Sequence, residues 1–418
     1  MTKILITTFG TRGDIQPFIA LGRGLEAAGY DVRVCTSEGY KPFVEEHDLR
    51  YLPMDNELLR LSQEALGEAK GAGDTLKLIK QMKSAIRRSM DDEWAAAQAF
   101  QPDLIVYHPK CLGSYHVAEK LRIPAVMSLP LPFYTPTREF PIPFLSNIQL
   151  GGWFNRFTYR LMGLTGALHG GTINDFRLKT LGMSPVGRFA DLLTRSGGSP
   201  VPVLYPYSPH VLPVPADFPP HVHVTGYWFL DHPPNWKPDP ALVQFLEAGA
   251  PPVYIGFGSI GASKGEERAR VVLEALAKSG ERAVLASGWG GLRTSDLPPS
   301  VHMLESAPHD WLFPRVAAVI HHGGAGTTAA GLRAGKPTIL SPFMADQPFW
   351  GNLVHQLGVG PKPIPQKRLT ADGLAEAIRA TVRDEEMKRR AAELGGKIRS
   401  EDGVARAVEA IGEVMAAS

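Results

Sequence analysis

The sequence predicts an α/β protein of two domains, each built on a parallel sheet. Short apolar runs alternate with helical patterns in the first half of the chain, and this alternation returns in the second half after a proline-rich stretch. Strands that alternate with helices pair in parallel, because each helix serves as the crossover to the next strand. The length of 418 residues also exceeds that of one ordinary domain.

Each predicted element rests on its own pattern. Short apolar runs bounded by polar residues or glycine indicate buried strands, whereas longer segments with apolar residues three or four positions apart indicate helices. In the first half we predict strands at 4–7, 32–35, 104–107 and 125–128, with helices at 18–28 and 74–100. In the second half we predict strands at 253–257, 283–286, 301–304, 316–320 and 338–340, and residues 386–418 read as helical.

The domain boundary is predicted within the proline-rich stretch. The prolines between positions 213 and 240, with Trp228 and Trp236 among them, indicate a semi-stiff linker with packed anchors. We therefore predict an N-terminal domain over 1–220, a linker over 221–240 and a second domain over 241–400. The last residues, 401–418, are predicted to form a helix that packs back toward the N-terminal domain.

Composition excludes several classes of partner and location. The 44 basic and 42 acidic residues nearly balance, so the chain lacks the positive charge expected of a nucleic-acid-binding protein. Its two cysteines, Cys35 and Cys111, suggest neither a disulfide framework nor a zinc motif. No run is suited to a membrane-spanning helix or a secretory signal. A reducing cytoplasm is the predicted location.

A glycine-rich turn in the second half carries the clearest chemical signal. The sequence HHGGAGTT at 321–328 follows a predicted strand and opens a helix, where small residues let backbone N–H groups approach an anion. This pattern predicts a diphosphate cradle. The next strand leads to Asp346 and Gln347, and ligands of open α/β sheets bind at such strand ends. That pair is therefore predicted to offer hydrogen bonds to hydroxyl groups.

Together these segments resemble the nucleotide-sugar signature of glycosyltransferases with the GT-B fold, and more closely the sterol 3-beta-glucosyltransferases. In that family a uridine loop similar to APHDWLF at 307–313 precedes the paired histidines and a DQPFWG element like that at 346–351. The resemblance covers nearly the whole chain in order. It also includes FGTRGDIQPF at 9–18, NDFR at 174–177, FLD at 229–231, YIGFGS at 254–259 and GWGGL at 288–292.

The resemblance implies two facing Rossmann-like domains with parallel sheets, a cleft between them and a UDP-sugar donor in the second domain. It also implies that the side chain of His322 and the residues Gly324, Gly326 and Thr327 hold the donor diphosphate. The alternative is a tight turn with two satisfied histidines. Because adjacent residues of an extended segment point to opposite sides, one of His321 and His322 should lie in the core or in the wall of the predicted donor site.

By the same resemblance, Asp346 and Gln347 contact the sugar hydroxyls, although Asp346 before a proline also fits an ordinary helix N-cap. No acidic metal-binding motif accompanies the cradle, so neither a metal nor another cofactor is expected. Backbone dipoles and His322 would then stabilise the leaving diphosphate.

Three further residues are candidates for the donor site. The sequence GFGSIG at 256–261 fits a dinucleotide loop after a strand, but the acidic residue that a nicotinamide cofactor needs at the next strand end is missing. We place Ser259 near the donor phosphates, with a plain strand-to-helix turn as the alternative. Trp289 could cover a base or sugar or simply pack. His309 occupies the uridine loop, where the family relies on backbone groups.

Asp14 is the candidate general base. It lies in GTRGD at 10–14, between the first strand and a helix, at the carboxyl edge of the N-terminal sheet and facing the predicted cleft. From the residues alone, the favoured interpretation is that Asp14 caps the helix that follows. The resemblance implies the base, because related glycosyltransferases place theirs at this turn. Matching a carboxylate to a weakly acidic alcohol favours a pKa raised by partial burial. His108 and His116 are the alternative bases.

The acceptor surface is predicted in an apolar stretch of the N-terminal half. It contains two proline-rich aromatic segments, followed by Trp153 and Phe154, and few charges. Such a stretch suits a hydrophobic alcohol, fits ordinary core equally well, and could rest on a membrane surface as a peripheral contact. The candidate acceptor residues are Phe133, Tyr134, Phe140 and Phe144.

We therefore expect an inverting, metal-independent glycosyltransferase that moves glucose from UDP-glucose to a hydroxyl of a sterol-like or other hydrophobic acceptor. A tailoring enzyme for polyketides, flavonoids or glycopeptides is the alternative within the class. A nucleotide-sugar epimerase, which would act without an acceptor, is the alternative from another class. A nicotinamide oxidoreductase is disfavoured by the missing acid, and a sugar-nucleotide sensor would bind without turnover.

Overall fold

A computed structural model of the chain describes residues 1–65, 72–146, 148, 150–187, 193–194, 198–257, 265–286 and 297–417. The chain forms two compact units. The first unit contains residues 1–209, 214–230 and 402–418, and the second contains residues 210–213 and 231–401.

The first unit is built on a parallel sheet in the order β3-β2-β1-β4-β5-β6-β7. Its central strands are buried on both faces, which explains their continuous apolar runs. The strands are β1 (Lys3–Thr7), β2 (Asp31–Ser37), β3 (Arg50–Met54), β4 (Leu104–Tyr107), β5 (Ala125–Ser128), β6 (Val203–Tyr205) and β7 (Val222–Val224).

Seven helices and a π-helical turn connect these strands in the described part of the first unit. Their bounds are α1 (Arg12–Ala27), α2 (Lys41–Glu45), α3 (Glu57–Ala65), α4 (Ala72–Phe100), α5 (Ser114–Leu121), α6 (Gly152–Thr158), α7 (Arg160–Phe176) and the π-helical turn Arg177–Leu181.

The second unit contains a five-stranded parallel sheet in the order β10-β9-β8-β11-β12. Its strands are β8 (Val253–Gly256), β9 (Ala283–Ala286), β10 (Val301–Leu304), β11 (Val319–His321) and β12 (Thr338–Leu340). Its helices are α8 (Pro240–Glu247), α9 (Gly265–Ser279), α10 (His309–Leu312), α11 (Ala325–Arg333), α12 (Gln347–Gln356), α13 (Ala371–Arg383) and α14 (Glu385–Arg399).

The last helix, α15 (Gly403–Ala416), belongs to the first unit, where it packs on α1. Ala407, Ala410 and Ile411 join the buried core of that unit. A Cβ on Gly24 of α1 would lie 2.2 Å from Val404, so only glycine permits this close approach of the two helices.

The predicted pair of Rossmann-like domains is confirmed, and nine of the predicted strands are present. The sequence patterns missed β3, β6 and β7, and β7 lies inside the segment predicted as linker. All three contain or follow prolines, which we interpreted as marks of loops. β3 and β7 are edge strands, where proline is tolerated because an edge strand leaves backbone N–H groups without a sheet partner.

Both strand orders reverse next to the first strand of their sheet. In the first unit the reversal lies between β1 and β4, and in the second between β8 and β11. Open α/β sheets bind ligands outside the carboxyl ends of the strands at such a switch point. The segments that follow β1, β4 and β11 are therefore the places to look for function.

Candidate active site

Asp14 lies at the switch point of the first unit. The helix that follows β1 begins at Arg12, so Asp14 is the third helical residue, whereas Thr11 is the N-cap. Asp14 Oδ2 accepts a 2.8 Å hydrogen bond from the Thr11 backbone N–H and one of 3.1 Å from the Thr11 hydroxyl. Asp14 thus supports the start of the helix in a capping-box arrangement instead of as the N-cap itself.

The other carboxylate oxygen of Asp14 faces residues that follow β4. Lys110 Nζ donates to Asp14 Oδ1 at 2.7 Å, and His108 Nε2 lies 3.6 Å from the same oxygen. Gly10 makes room for this group: its φ is +136°, and a Cβ there would lie 2.2 Å from Asp14 Oδ2 and 3.0 Å from Lys110 Nζ. The turn after β1 therefore needs glycine so that the ion pair can rest against the backbone.

The charge around Asp14 lowers its pKa. Burial alone would raise the pKa of this carboxyl, but the positive charge of Lys110, followed by His108 and the hydrogen bonds, outweighs that effect. The sequence-based expectation of a raised pKa is therefore wrong. The physical reason is the ammonium group of Lys110, which stabilises the ionised form and which the sequence analysis did not consider.

His108 is poorly suited to serve as the base. Its Nδ1 accepts a 3.1 Å hydrogen bond from the Lys110 backbone N–H, which places the ring proton of the neutral form on Nε2. Neither nitrogen then offers a free lone pair. Burial also lowers the pKa of His108 to about 4, although Asp14 opposes this shift.

His116 is also occupied within the fold. It is fully buried, and its Nδ1 accepts from Arg177 Nη1 at 2.9 Å. Arg177 in turn donates to Glu119 at 2.5 Å. Burial lowers the pKa of His116. This network holds the π-helical turn against α5, which is a structural role.

A second carboxyl, Glu93, lies buried at the start of α5. Glu93 Oε2 accepts from the Ser114 hydroxyl at 2.6 Å, and Oε1 accepts from the Gly113 backbone N–H at 3.3 Å. Burial raises the pKa of Glu93 to about 7, against a usual value of 4.5, although these hydrogen bonds oppose the shift. The pKa of Glu93 is thus raised toward neutral pH.

The switch point of the second unit carries the turn that the sequence predicts to bind phosphate. Chain 322–324 leaves β11 and enters α11, whose N-cap is Gly324. The first intrahelical hydrogen bond runs from Thr328 N to Gly324 O at 2.9 Å. The N–H groups of Ala325, Gly326 and Thr327 precede it, so they have no acceptor one turn back. These donors, at the positive end of the helix, form an anion-binding arrangement.

The paired histidines point in different directions. His321 is fully buried and its Nδ1 accepts from the Gly323 backbone N–H at 3.0 Å. His322 is half-buried beside the N-cap, where a Cβ on Gly324 would lie 2.9 Å from its Nε2. Burial lowers the pKa of both rings, more strongly for His321. For His322 a hydrogen bond with the Gly256 backbone opposes this lowering of the pKa.

Asp346 and Gln347 adjoin the turn, because a Cβ on Gly323 would lie 3.1 Å from that of Gln347. Asp346 occupies the N-cap position of α12 but makes no side-chain capping bond; its Oδ2 accepts from Trp350 Nε1 at 3.0 Å. Gln347 Oε1 accepts from the backbone N–H groups of Phe343 at 2.7 Å and Met344 at 3.2 Å. A sugar contact from Gln347 would therefore use its Nε2 group.

Two family domains match most of the chain. Residues 4–140 match the glycosyltransferase family 28 N-terminal domain, and residues 270–412 match the C-terminal domain of the erythromycin biosynthesis protein CIII-like family. Sterol 3-beta-glucosyltransferase UGT80B1 of Arabidopsis thaliana is 37% identical across 98% of this chain, which covers 67% of that protein. The chain belongs to the sterol 3-beta-glucosyltransferase family.

Other members of this glycosyltransferase family are similarly related. UGT80A2 of Arabidopsis thaliana is 38% identical across 98% of the chain, and the Emericella nidulans enzyme is 40% identical across 98%. The chain spans 65% of the length of the former but only 30% of the latter. The match thus covers less than a third of the Emericella nidulans enzyme.

Solved structures support the GT-B fold. The kitacinnamycin glycotransferase superposes with a TM-score of 0.73 at 18% identity, covering 99% of both chains. The calicheamicin glycosyltransferase CalG4 gives a TM-score of 0.68 at 17% identity, covering 99% of this chain and 98% of its own. At these identities the likeness concerns the fold alone.

The remaining donor candidates of this family member differ in how far the structure describes them. His309 begins α10, stacks on Phe313 with 4.3 Å between ring centroids, and meets Tyr254 edge-on at 6.0 Å. The His309 ring is thus packed against Phe313 and against Tyr254 of β8. Ser259 and Trp289 lie outside the described residues.

Two of the four acceptor candidates meet in the structure. Phe133 and Phe144 stack with 4.8 Å between ring centroids, and Phe144 is 54% exposed. Tyr134 is half-buried, and burial raises its pKa. Phe140 is half-buried, and its carbonyl accepts from the Tyr159 hydroxyl at 3.4 Å.

The sequence analysis missed Lys110 as a partner of the candidate base. A signal was present, because Lys110 follows β4 closely and β4 is the neighbour of β1 in a sheet of this order. Parallel neighbouring strands bring their carboxyl ends to the same edge. The segments after β1 and β4 could thus have been paired once the strand order was assumed.

Proposed function

We propose that this protein transfers glucose from UDP-glucose to a hydroxyl of a sterol-like acceptor, with inversion at the anomeric carbon. Membership of the sterol 3-beta-glucosyltransferase family supports this reaction and acceptor class. The arrangement of Asp14 beside Lys110 is the single observation that carries the chemical step.

In this proposal, Asp14 takes the proton of the acceptor hydroxyl as the acceptor oxygen bonds to the anomeric carbon. Lys110 keeps Asp14 ionised at neutral pH, so the base is ready before the acceptor binds. The same ammonium disfavours the protonated carboxyl, which promotes release of the proton once the product has formed. Thr11 fixes the other oxygen and thereby the orientation of the carboxylate.

The bond that breaks joins the anomeric carbon to the diphosphate, and its electron pair leaves with UDP. The N–H groups of Ala325, Gly326 and Thr327 would stabilise that charge, assisted by the ring N–H of His322. Asp346 and Gln347 adjoin this turn, where they would contact the sugar hydroxyls. Gly324 leaves space for His322 at the N-cap, a role that a larger residue would disturb.

The proposed step uses no metal ion. Among the described residues, no group of three or more His, Cys, Asp or Glu side chains is arranged to hold one. Backbone donors and a neutral imidazole instead face the proposed diphosphate position. A chelator should therefore leave both UDP binding and turnover intact.

The donor nucleotide is a point for direct test. Two natural-product glycosyltransferases of the same fold, SsfS6 and VinC, were solved with thymidine diphosphate. The resemblance of residues 307–313 to a uridine loop supports uridine instead. The decisive assay is mass-spectrometric detection of glycosylated product across a matrix of UDP- and TDP-sugars against sterols, flavonoids and polyketides. Arms without acceptor would detect an epimerase, and binding without product would indicate a sensor.

The proposal also includes a peripheral contact with a membrane, where sterol-like acceptors reside. No helix in the described ranges is long and apolar enough to cross a bilayer.

A further inference from the structure

An exposed apolar stripe runs along α6 and α7. The two helices are joined at Tyr159, whose φ of −65° and ψ of −18° continue the helical path. At about 100° per residue, the stripe residues fall within an arc of about 80°. The stripe consists of Trp153, 78% exposed, Phe157, 46%, Leu161, 44%, and Leu168, 71%.

The opposite side of the same helices is the packed one. Asn155, Thr158 and Tyr159 are buried, so core packing already accounts for that face. Trp153 and Phe157 instead stack on each other in solvent, with 5.4 Å between ring centroids. Contiguous exposed apolar surface of this kind marks a binding face rather than scattered surface residues.

Basic side chains outnumber acidic ones beside the stripe, where Asp217 lies near Arg156 and Asp175 lines the groove that also holds Lys83, Arg87 and Leu168. From position 140 to position 174 the sequence has no Asp or Glu, but it contains Arg156 and Arg160, both exposed. The guanidinium of Arg160 lies 5.5 Å from the Phe157 ring centroid. At the other end, Lys83 of α4 lines the same groove of about 640 Å³ as Leu168. Cations therefore accompany the stripe along its length.

We propose that this stripe docks the protein on an anionic lipid surface. Tryptophan, phenylalanine and leucine on one helical face, flanked by arginine, are the composition of helices that lie in the membrane interface. Arginine can pair with lipid phosphate while its stem stays near the acyl boundary. The stripe of a second copy of this chain contains no acidic residue that could pair with Arg156 and Arg160. Charge complementarity therefore favours the lipid surface.

The docking proposal rests on the proposed function in one respect: a sterol-class acceptor resides in a bilayer, so docking would give the enzyme access to it. The acceptor candidate Phe144 lies just before the stripe in sequence and is itself half exposed. The binding test does not depend on catalysis, so failure of one proposal is distinguishable from failure of the other.

The test is co-sedimentation of the full chain with phosphatidylcholine vesicles, with and without about one-third phosphatidylserine. Wild-type protein should bind the anionic vesicles, and binding should weaken as salt rises, because screening shortens the reach of the arginines. Arg156→Ala and Arg160→Ala should each weaken binding by about fivefold. The double variant Trp153→Ser/Phe157→Ser should lose at least tenfold, whereas Val214→Ser, another exposed apolar position, should match wild type.

Thermal unfolding should be unchanged in all these variants, because the substituted side chains are exposed. Absence of vesicle binding by the wild type, or equal binding by wild type and the double variant, would overturn the proposal. Concentration-dependent dimerisation that the double variant abolishes, without vesicle binding, would assign the stripe to a second copy instead.

Discussion

Replacing Asp14 by Asn removes the proposed base while retaining most of its structural contacts. The amide oxygen can still accept from the Thr11 backbone N–H, so the start of α1 should persist. The ion pair with Lys110 is lost, but Lys110 is 50% exposed, and such pairs contribute about 1 kcal/mol or less. The effect on stability should therefore be small.

The catalytic effect should be much larger. Loss of general-base catalysis costs about 10²–10⁴-fold in rate, which corresponds to about 3–5 kcal/mol of transition-state free energy. The proposed donor site lies in the second unit, so UDP affinity should not change. The assay is kcat with UDP-glucose and a sterol acceptor, accompanied by calorimetry with UDP and a thermal melt.

Lys110→Met provides the matched control, because it breaks the same ion pair but retains the carboxylate. Its kcat at neutral pH should fall far less than that of Asp14→Asn. Without the ammonium, burial raises the pKa of Asp14, so the acid limb of kcat/KM should move to higher pH. Near-normal turnover by Asp14→Asn, or equal losses in both variants, would refute the assignment of Asp14 as the base.

Three further predictions concern the cradle, the buried carboxyl and the metal. His322→Ala should lower kcat by about 10²–10³-fold, because one hydrogen-bond donor to the developing negative charge is lost. The affinity for the acceptor should change little. If the variant kept the kcat of the wild type, the role of this histidine would be structural. Glu93 has a raised pKa, so its native-state protonation contributes stability at low pH that is lost as the pH rises through about 7. Glu93→Gln retains an acceptor oxygen and the size of the side chain, so its melting temperature should exceed that of the wild type at pH 8.5 but not at pH 5. A pKa raised from 4.5 to about 7 corresponds to about 3 kcal/mol. Parallel pH profiles of the two proteins would contradict the buried-acid assignment. UDP should bind in calorimetry, and transfer should proceed, equally with and without EDTA; loss of either would exclude the metal-free mechanism.

The sequence predicted most of the two sheets because their central strands are buried on both faces. Such strands are continuous apolar runs, so they can be recognised without knowing which strands lie beside them. β3, β6 and β7 were missed because the residues that each of these strands tolerates depend on where the strand lies in the sheet. Arg50 and Pro53 of β3, for example, are acceptable only at an edge, and edge position is a property of the completed topology.

The candidate site shows the same division. The turn at 321–328 was evident from the local sequence, because two adjacent glycines between a strand and a helix are typical of such a turn. The partner of Asp14 was not evident, because Lys110 is distant in sequence and reaches Asp14 only through the pairing of β1 with β4. The pKa of Asp14 depends on that contact, so the sign of its shift required the folded chain.

The return of α15 to the first unit matters for attempts to exchange donor specificity between related enzymes. The chain leaves the first unit after Leu230 and re-enters it at Asp402, so the second unit, apart from its short segment 210–213, is an insertion between two segments of the first. A chimera joined at a single point near residue 230 would pair α1 with a foreign last helix, which must fit against Gly24. Transplanting residues 231–401 through two junctions would instead keep α1 with its own α15.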